Sequence, residues 1–402
     1  MLDQEYIAYF NANDGTAYLA LGCQSIFKAH ANFEWSELDA FFETHRGRFI
    51  VTSFSYELKQ ATASLPSTKQ NPIDYPLIQC WVPEVCYRIN GNDVRIFDGH
   101  ATPLLQQLQL DFLKALSSEN ETKLSGIVHR GISKENYLRT VQKLKSHLQR
   151  GDIYEVNFCQ EFRIQNLEIN NPIGVYASLN AATKAPFSVY LQSPSHFVFC
   201  ASPERFLKKT GQRLIAEPIK GTAARHPDKL TDDAIAAKLQ ADPKERAENI
   251  MIVDLMRNDL ARIAKKNSVE VEELCGLYHF ETVHQLISRI SCQLAPETSY
   301  SQLLKALFPM GSMTGAPKLA AMQLIDAYET FSRGLYSGSI GYCLPTGDFD
   351  WNVVIRSLLY NREKQLLSLA AGSAITMLSA NEAEYEECLL KINRILNGLQ
   401  LH

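Results

Sequence analysis

The residues that could do chemistry in this sequence begin with Lys220, which stands in the segment "LIAEPIKGTAARH", Leu214 to His226. A solvent-exposed lysine needs no position between an apolar dipeptide and a Gly-Thr turn. An amine held there could act as a nucleophile once it has lost its proton. The segment leaves two alternatives for Lys220: a surface charge that follows a strand, or a reactive amine.

A first cluster of carboxylates lies in the segment "ADPKERAENIMIVDLMRNDLARI". The segment predicts a helix with Asp242 as its N-cap and Pro243 as its first residue. Glu245 and Glu248 are three residues apart and therefore share one face of this helix. Taken alone, Glu245 is most simply a capping residue.

A second Glu-x-x-Glu pattern lies in the last predicted helix, "SANEAEYEECLLKINRILNGL", which begins with a Ser379-x-x-Glu382 capping box. Its polar line contains Glu384, Glu387 and Lys391, and a solvated face with a Glu387–Lys391 pair would explain that line. Alternatively, the two helices bring four carboxylates together around a cation. An all-oxygen set without His or Cys suits Mg²⁺.

Three further residues stand in unusual surroundings. Glu204 follows Pro203 in "ASPERF", and His284 lies in the apolar run "ETVHQLISRI". A lone glutamate is usually solvated, and a lone histidine on an apolar face is usually a core residue. Arg356 in "VVIRSLLY" is different, because a guanidinium within an apolar strand needs an anionic partner or an exit to water.

The elements that would position these residues can be read from the hydrophobic period. Ser133 and Gly151 bound a predicted helix whose buried stripe consists of Tyr137, Val141, Leu144 and Leu148. The following "IYEVNFCQEF" has a period of two, which places Glu155 opposite Tyr154 and Val156. The segment 337–375 predicts three strands joined by short turns, and such turns join antiparallel neighbours. The pattern favours an α+β fold with large antiparallel sheets over a doubly wound parallel sheet.

Composition narrows the class of protein. The chain has 402 residues, a formal net charge of −4 and a pI near 6.2, which give no basic field for nucleic acid or an acidic membrane. We find no apolar run that could span a bilayer and no signal-peptide layout. The nine cysteines contain no C-x-x-C pair, so we expect a reducing cytoplasm. We expect one large domain over residues 1–402, with a polar connection, "LSSENETKLSG", between a variable N-terminal part (1–125) and a catalytic region (126–398).

Eight separated motifs resemble one known family: "GDIYEVNFCQEF", "SPERF", "PIKGT", "DLMRNDLARI", "GSMTGAPK", "GSIGY", "VIRSL" and "EAEYEECLLK". They occur in the order found in chorismate-utilising enzymes, from about Gly126 to the C-terminus. The first third resembles the variable N-terminal part of that family more weakly. The resemblance implies antiparallel sheets packed as a sandwich with flanking helices, as in anthranilate synthase component I.

The motif "PIKGT" resembles one branch of the family in particular. With lysine at position 220, the sequence resembles the branch that aminates chorismate at C4 to give 4-amino-4-deoxychorismate, in para-aminobenzoate and folate biosynthesis. Anthranilate synthase is the alternative, with isochorismate and salicylate synthases further away, since these typically carry an apolar residue there. Two residues depart from the pattern: Glu155 stands where the amination branches usually have glutamine, and Ala371 where the family often has glycine.

The resemblance implies a role for each candidate residue. Glu248 and Glu387 would bind Mg²⁺, and Glu245 and Glu384 would act on it directly or through water. Glu204 would be a general acid with a raised pKa. The positions that hold the substrate carboxylates would be Gly221, Thr222, Tyr342, Arg356, Gly372 and Lys391.

The same resemblance makes Lys220 a nucleophile that attacks C2 of chorismate, for which its pKa must be lowered by burial or a nearby cation. His284 matches an active-site histidine of the anthranilate branch. Nothing in the sequence resembles the Gly-x-Cys-x-Gly elbow of a glutaminase. We therefore expect ammonia to come from a separate glutamine amidotransferase subunit, component II.

Overall fold

The computed structural model describes residues 6–67, 69–118, 122 and 124–401. The helices are α1 (Trp35–Thr44), α2 (Lys59–Thr62), α3 (Pro103–Leu116), α4 (Lys134–Arg150), α5 (Pro172–Thr183), α6 (Lys229–Ala241), α7 (Pro243–Ala261), α8 (Tyr300–Leu307), α9 (Lys318–Tyr328) and α10 (Asn381–Gly398). The polar connection expected at Leu116–Gly126 falls partly outside the described residues.

The strands of the N-terminal half are β1 (Ile7–Asn11), β2 (Thr16–Leu21), β3 (Ser25–Ala29), β4 (Ile50–Phe54), β5 (Ile78–Val82), β6 (Val85–Asn90), β7 (Asp93–Gly99), β8 (His129–Arg130), β9 (Glu155–Ile164), β10 (Phe187–Gln192) and β11 (His196–Ser202). Those of the C-terminal half are β12 (Arg205–Thr210), β13 (Arg213–Glu217), β14 (Ile219–Ala224), β15 (Glu270–His279), β16 (Val283–Gln293), β17 (Gly315–Ala316), β18 (Ser339–Cys343), β19 (Phe349–Asn352), β20 (Ser357–Asn361) and β21 (Leu366–Ile375).

These strands form two large antiparallel sheets. The first has the order β17-β9-β21-β20-β11-β10-β1-β2-β6-β7, with β8 beside β9. The second has the order β14-β16-β13-β12-β19-β18-β4-β5-β3, with β15 beside β16. Both sheets combine strands from the first 125 residues with strands from the rest of the chain. The predicted α+β class with large antiparallel sheets is confirmed.

The first sheet is buried on both faces, which the period of two along β1 illustrates. Ala8 and Phe10 pack into a core between the two sheets, together with Trp81 and Trp351 of the second sheet. Ile7 and its alternate neighbours pack into another core against α3, α4, α5, α9 and α10. The layers are therefore helices, first sheet and second sheet. No helix in the described ranges is long and apolar enough to cross a membrane.

The helix ends predicted from the sequence agree with the structure, with one exception. Ser133 caps α4, Gly151 ends it in the left-handed region at φ 80°, and Asp242 caps α7. The predicted capping box of the last helix is wrong. The helix begins two residues after Ser379, whose hydroxyl instead donates to the backbone carbonyl of Ala374 in β21 and accepts from Thr376 N.

The segment predicted as three strands contains four. β19 pairs with β12 and β18 in the second sheet, whereas β20 pairs with β11 and β21 in the first. The chain therefore crosses between the sheets at residues 353–356, and Arg356 adopts φ 52° there. The sequence shows no turn at this point because Val353, Val354 and Ile355 are apolar like the strands on either side, and the two valines are buried.

Candidate active site

A cavity of about 440 Å³ opens where the ends of the two sheets meet α7 and α10. All but two of the residues predicted for the site line it. They are Glu204, Lys220, Gly221, Thr222, Glu245, Glu248, Arg356, Gly372, Glu384, Glu387 and Lys391. Because these residues come from six separate stretches of sequence, it is the fold that brings them together.

Lys220 extends from β14 into this cavity, and its side chain is only 11% exposed. Its Nζ lies 2.8 Å from Oε1 of Glu155 at the start of β9. Burial lowers the pKa of Lys220, but the carboxylates of Glu155, Glu248 and Glu204 outweigh burial and raise the pKa above its ordinary value. This corrects the expectation of a lowered pKa: at rest the amine is an ammonium group within an ion pair.

Glu204 lies between β11 and β12, directly after Pro203, and is buried. Burial raises its pKa to about 7. A hydrogen bond from Ser312 and the charges of Lys220 and Arg356 oppose this effect without cancelling it. The raised pKa agrees with the expectation for a general acid, because the group can hold a proton near neutral pH.

Two lysines compensate the charge of the four predicted metal ligands. Lys244 Nζ lies 3.2 Å from Glu384 Oε1 and 3.7 Å from Glu248 Oε1, so one ammonium bridges α7 and α10. Lys391 Nζ lies 2.7 Å from Glu387 Oε1, as the alternative explanation of that helix face predicted. Lys391 also donates to the backbone carbonyl of Gly372 at 2.9 Å.

In this arrangement the described residues contain no group of three or more His, Cys, Asp or Glu side chains close enough to hold a metal ion. The donor set nevertheless fits a hard divalent cation. Oε1 of Glu248 is buried without a hydrogen-bond partner, and burial raises the pKa of Glu248 to about 7. Burial also raises the pKa of Glu245. A cation would stabilise the charged form of these buried carboxylates. Oxygen ligands are those that Mg²⁺ prefers.

Two glycines keep the walls of the cavity close. Gly221 adopts φ +93°, where L side chains are strained, and a Cβ atom there would lie 3.2 Å from Glu245 Oε2. A Cβ atom at Gly372 would lie 2.4 Å from Cys159 Sγ and 2.5 Å from Asn157 Oδ1. Larger residues at either position would push apart the strands and helix that surround the cavity.

Arg356 reaches the cavity from the crossing between the sheets. Its guanidinium makes no hydrogen bond or ion pair with any other residue that the structure describes. Burial, followed by the charge of Arg394, lowers its pKa to about 10, and the charge of Glu204 acts in the opposite direction. A buried cation in a cavity without a bonded partner is suited to bind an anionic ligand.

Two predicted site residues lie outside the cavity. His284 is buried on the other face of β16, where it contacts His279 at 2.7 Å and Asp232 at 2.9 Å. Its neighbour Gln285 faces the cavity, as the alternation of a strand requires. Tyr342 belongs to β18 in the interior of the second sheet and lines a separate cavity with Tyr18 and other residues. The structure therefore does not bring these two residues to the site.

Several residues that line the cavity were not predicted from the sequence. They are Asn157, Lys244, Gln285, Ser312 and Arg394. Helical spacing could have identified Arg394, which extends the polar line of α10 by three residues. A period of two places Asn157 on the same face as Glu155 and could have identified it.

The fold and this cavity can be compared with known proteins. A model of the chorismate binding enzyme family matches residues 4–397, and the chain therefore belongs to that family. Aminodeoxychorismate synthase component 1 of Escherichia coli strain K12 is 35% identical over 353 residues, which are 86% of this chain and 76% of that protein. The chloroplastic aminodeoxychorismate synthase of Arabidopsis thaliana is 39% identical over 270 residues, which are 66% of this chain and 29% of that protein.

Among solved structures, anthranilate synthase component I from Streptococcus pneumoniae TIGR4 has a TM-score of 0.80 at 24% identity, covering 96% of this chain and 92% of that chain. At this identity the likeness concerns the fold. The predicted membership of the chorismate-utilising family, and the resemblance to its amination branch, are confirmed.

Proposed function

We propose that this enzyme aminates chorismate at C4 and releases 4-amino-4-deoxychorismate, on the route to para-aminobenzoate and folate. The observation that supports the proposal best is the position of Lys220. Its buried amine shares one cavity with Glu204, a carboxyl group that can hold a proton near neutral pH, and with four glutamates suited to Mg²⁺. A nucleophile, an acid and a charge-compensating site are the parts that this displacement needs.

Each cavity residue would have a separate role in binding the substrate or in the reaction. Arg356 and Lys391, with Thr222 and the backbone of Gly221 and Gly372, would hold the substrate carboxylates. Lys220 would form a bond to C2 while the ring double bonds shift and the C4–O bond breaks. Glu204 would give its proton to the departing oxygen, which leaves as water. Ammonia would then bond to C4, the double bonds would shift back, and the bond between C2 and Lys220 would break.

Mg²⁺, when bound by Glu248 and Glu387 with help from Glu245 and Glu384, would supply positive charge for the ring carboxylate. The chain itself must bring these four side chains within reach of one ion. Lys244 must then leave its present partner Glu384, since an ammonium group and a divalent cation compete for the same carboxylate oxygens.

The proposal is tested by incubating the purified chain with chorismate, Mg²⁺ and an ammonium salt, followed by mass spectrometry of the products. We expect 4-amino-4-deoxychorismate. Anthranilate, which is fluorescent and carries its amine next to the carboxylate, would instead support the alternative branch. Isochorismate or salicylate would contradict amination altogether.

We also propose that ammonia reaches this enzyme from a glutamine amidotransferase subunit. The purified chain should then use ammonium salts but not glutamine, and addition of the amidotransferase subunit from the same organism should allow glutamine to be used. Turnover of glutamine by the purified chain alone would contradict this proposal.

A further inference from the structure

The ion pair between Glu155 and Lys220 has a geometry suited to proton transfer. Glu155 is the first residue of β9, and its side chain is 1% exposed. Its Oε1 lies 2.8 Å from Lys220 Nζ, which is a short, charge-assisted hydrogen bond. The two residues come from different sheets, so the contact depends on the fold.

Among the described residues, no second side chain bonds this carboxylate. Oε2 of Glu155 is buried and has no hydrogen-bond partner among the described residues. An unpaired buried oxygen is costly for a carboxylate and much less so for a carboxyl group that has gained a proton. Lys220 Nζ is therefore the one side-chain donor among the described residues that the Glu155 carboxylate contacts, and Oε2 has no bond that would have to break if Glu155 took a proton.

We propose that Glu155 is a catalytic residue that removes the proton from Lys220 before the amine attacks, and returns it when the amine is released. The inference rests on the proposed function, because it needs Lys220 as the nucleophile. It concerns a residue at which this chain departs from the amination branches, and it explains how an amine held as an ammonium group can become a nucleophile.

The proton balance of the cycle is closed. The ammonium of Lys220 gives one proton to the carboxylate of Glu155, and the free electron pair forms the bond to C2. The C4–O bond takes its electrons to oxygen, which gains the proton of Glu204 and leaves as water. Ammonia bonds to C4 and the C2–N bond returns its electrons to Lys220, which recovers the proton from Glu155. Glu204 is reprotonated by the new C4 ammonium group, so the net reaction is chorismate and ammonia to aminodeoxychorismate and water.

Other charged groups face Lys220 but cannot take this role. The carboxylates are those of Glu204 between β11 and β12, Glu245 and Glu248 on α7, and Glu384 and Glu387 on α10, and the cations that line the same cavity are Lys244, Arg356, Lys391 and Arg394. Glu204 must supply a proton in the same step, so it cannot accept one. Among the described residues only Glu155 lies within hydrogen-bond distance of Lys220 Nζ.

The experiment compares Glu155→Gln with Glu161→Gln. Glutamine keeps the size of the side chain but cannot take the proton. Glu161 is a matched control because it is equally buried on the same strand, and it bonds Arg163 and Ser368 away from the cavity. With chorismate, Mg²⁺ and a constant concentration of free ammonia, we expect Glu155→Gln to lower kcat by about a hundredfold at neutral pH, the typical loss for a proton-transfer residue. Glu161→Gln should keep the wild-type rate.

The dependence of kcat on pH separates proton transfer from a structural role. Because Glu204 and Glu248 still hold charge on the amine in Glu155→Gln, the ratio of its kcat to that of the wild type should rise with pH as solvent hydroxide replaces the missing acceptor. Glu155→Asp, which keeps a carboxylate, should be faster than Glu155→Gln. A glutamine variant with the wild-type rate and pH profile, or equal rates for the aspartate and glutamine variants, would overturn the proposal.

A readout without chorismate keeps this inference apart from the proposed function. Acylation of Lys220 by acetic anhydride, followed by peptide mass spectrometry, reports how much free amine is present. Because the amine must give up its proton to react with the anhydride, we expect slower acylation of Lys220 in Glu155→Gln than in the wild type; faster acylation would show that the carboxylate only holds the ammonium group in place. Equal rates would mean that the pair does not exist in solution. If the wild type formed no aminodeoxychorismate, the proposed function would fail while this measurement still reported on the pair.

Discussion

Lys244 Nζ lies 3.2 Å from Glu384 Oε1, although the two residues are 140 positions apart in the chain. Lys244 belongs to the first turn of α7 and Glu384 to the first turn of α10. The ammonium therefore lies between the two Glu-x-x-Glu pairs, where the resemblance to chorismate-utilising enzymes implies a metal ion. The chain carries its own monovalent counter-ion for the carboxylates that we expect to bind Mg²⁺.

Replacement of this internal cation should strengthen metal binding. Lys244→Gln removes a charge that competes for Glu384 and Glu248, and we expect Mg²⁺ alone to bind about tenfold more tightly, a change of about 1.4 kcal/mol. Isothermal titration calorimetry measures the affinity without substrate. Lys134→Gln is the control, since Lys134 also contacts two carboxylates, Glu382 and Glu386, but outside the cavity. Unchanged or weaker binding by Lys244→Gln would show that the lysine does not compete with the metal.

Loss of a proposed metal ligand should weaken binding and turnover together. Glu248→Gln and Glu387→Gln each remove a carboxylate from the cavity, and we expect at least a tenfold loss of Mg²⁺ affinity with an unchanged circular dichroism spectrum. EDTA should abolish turnover, and added Mg²⁺ should restore it. Glu382→Gln is the control on the exposed face of α10 and should have the Mg²⁺ affinity and turnover of the wild type. Full turnover in EDTA would exclude the site.

Lys220 should form a covalent adduct with chorismate when ammonia is withheld, visible in the intact mass of the protein. Lys220→Ala should abolish the adduct and lower ammonia-dependent turnover by about a hundredfold or more, since covalent catalysis divides one difficult displacement into two easier ones. Lys220→Arg keeps the charge without the nucleophile and should be similarly impaired. An arginine variant near the wild-type rate, with no adduct on the wild type, would reduce Lys220 to a source of charge.

Glu204 should impose a pH dependence on both activity and stability. Its proton is present below a pKa of about 7, so kcat/KM at constant free ammonia should fall as pH rises past that value. Glu204→Gln should lose about a hundredfold in rate and also lose this decline.

The stability effect of Glu204 has a definite sign. Its pKa is 4.5 when unperturbed and about 7 when folded, so the folded state binds the proton more tightly and loses stability as pH rises between these values. Relative to the wild type, Glu204→Gln should therefore gain in Tm over the same interval, as thermal unfolding followed by circular dichroism can measure. A constant difference in Tm across this interval would contradict the raised pKa.

The features that the sequence predicted well are those set by neighbouring residues. The cap at Ser133, the stop at Gly151 and the four buried positions of α4 follow from a period of 3.6 and from local hydrogen bonds. The Glu-x-x-Glu faces of α7 and α10 could be predicted in the same way. That they face one cavity could be expected only from the resemblance to a known family.

Contacts between sheets could not be predicted from local patterns. Glu155 meets Lys220 only because β9 and β14 end at the same cavity, and nothing in either strand encodes that meeting. The period of two in β9 was correct, but both faces are buried, so it did not distinguish core from solvent. The crossing between the sheets just before Arg356 could not be predicted either, because its residues have the apolar composition of a strand.

The pairing of β4 with β18 has a consequence for how the polypeptide folds while it is being synthesised. Ile50 faces Cys343 in this pair, so an N-terminal strand finds one of its neighbours only when almost the whole chain has been made. Contacts so distant in sequence slow folding, because a long loop must close before the contact repays its entropy. Until then the emerging chain exposes an apolar strand edge on which other chains can assemble. The enzyme should therefore gain soluble yield from a chaperone that covers this edge, and an N-terminal fragment expressed alone should aggregate.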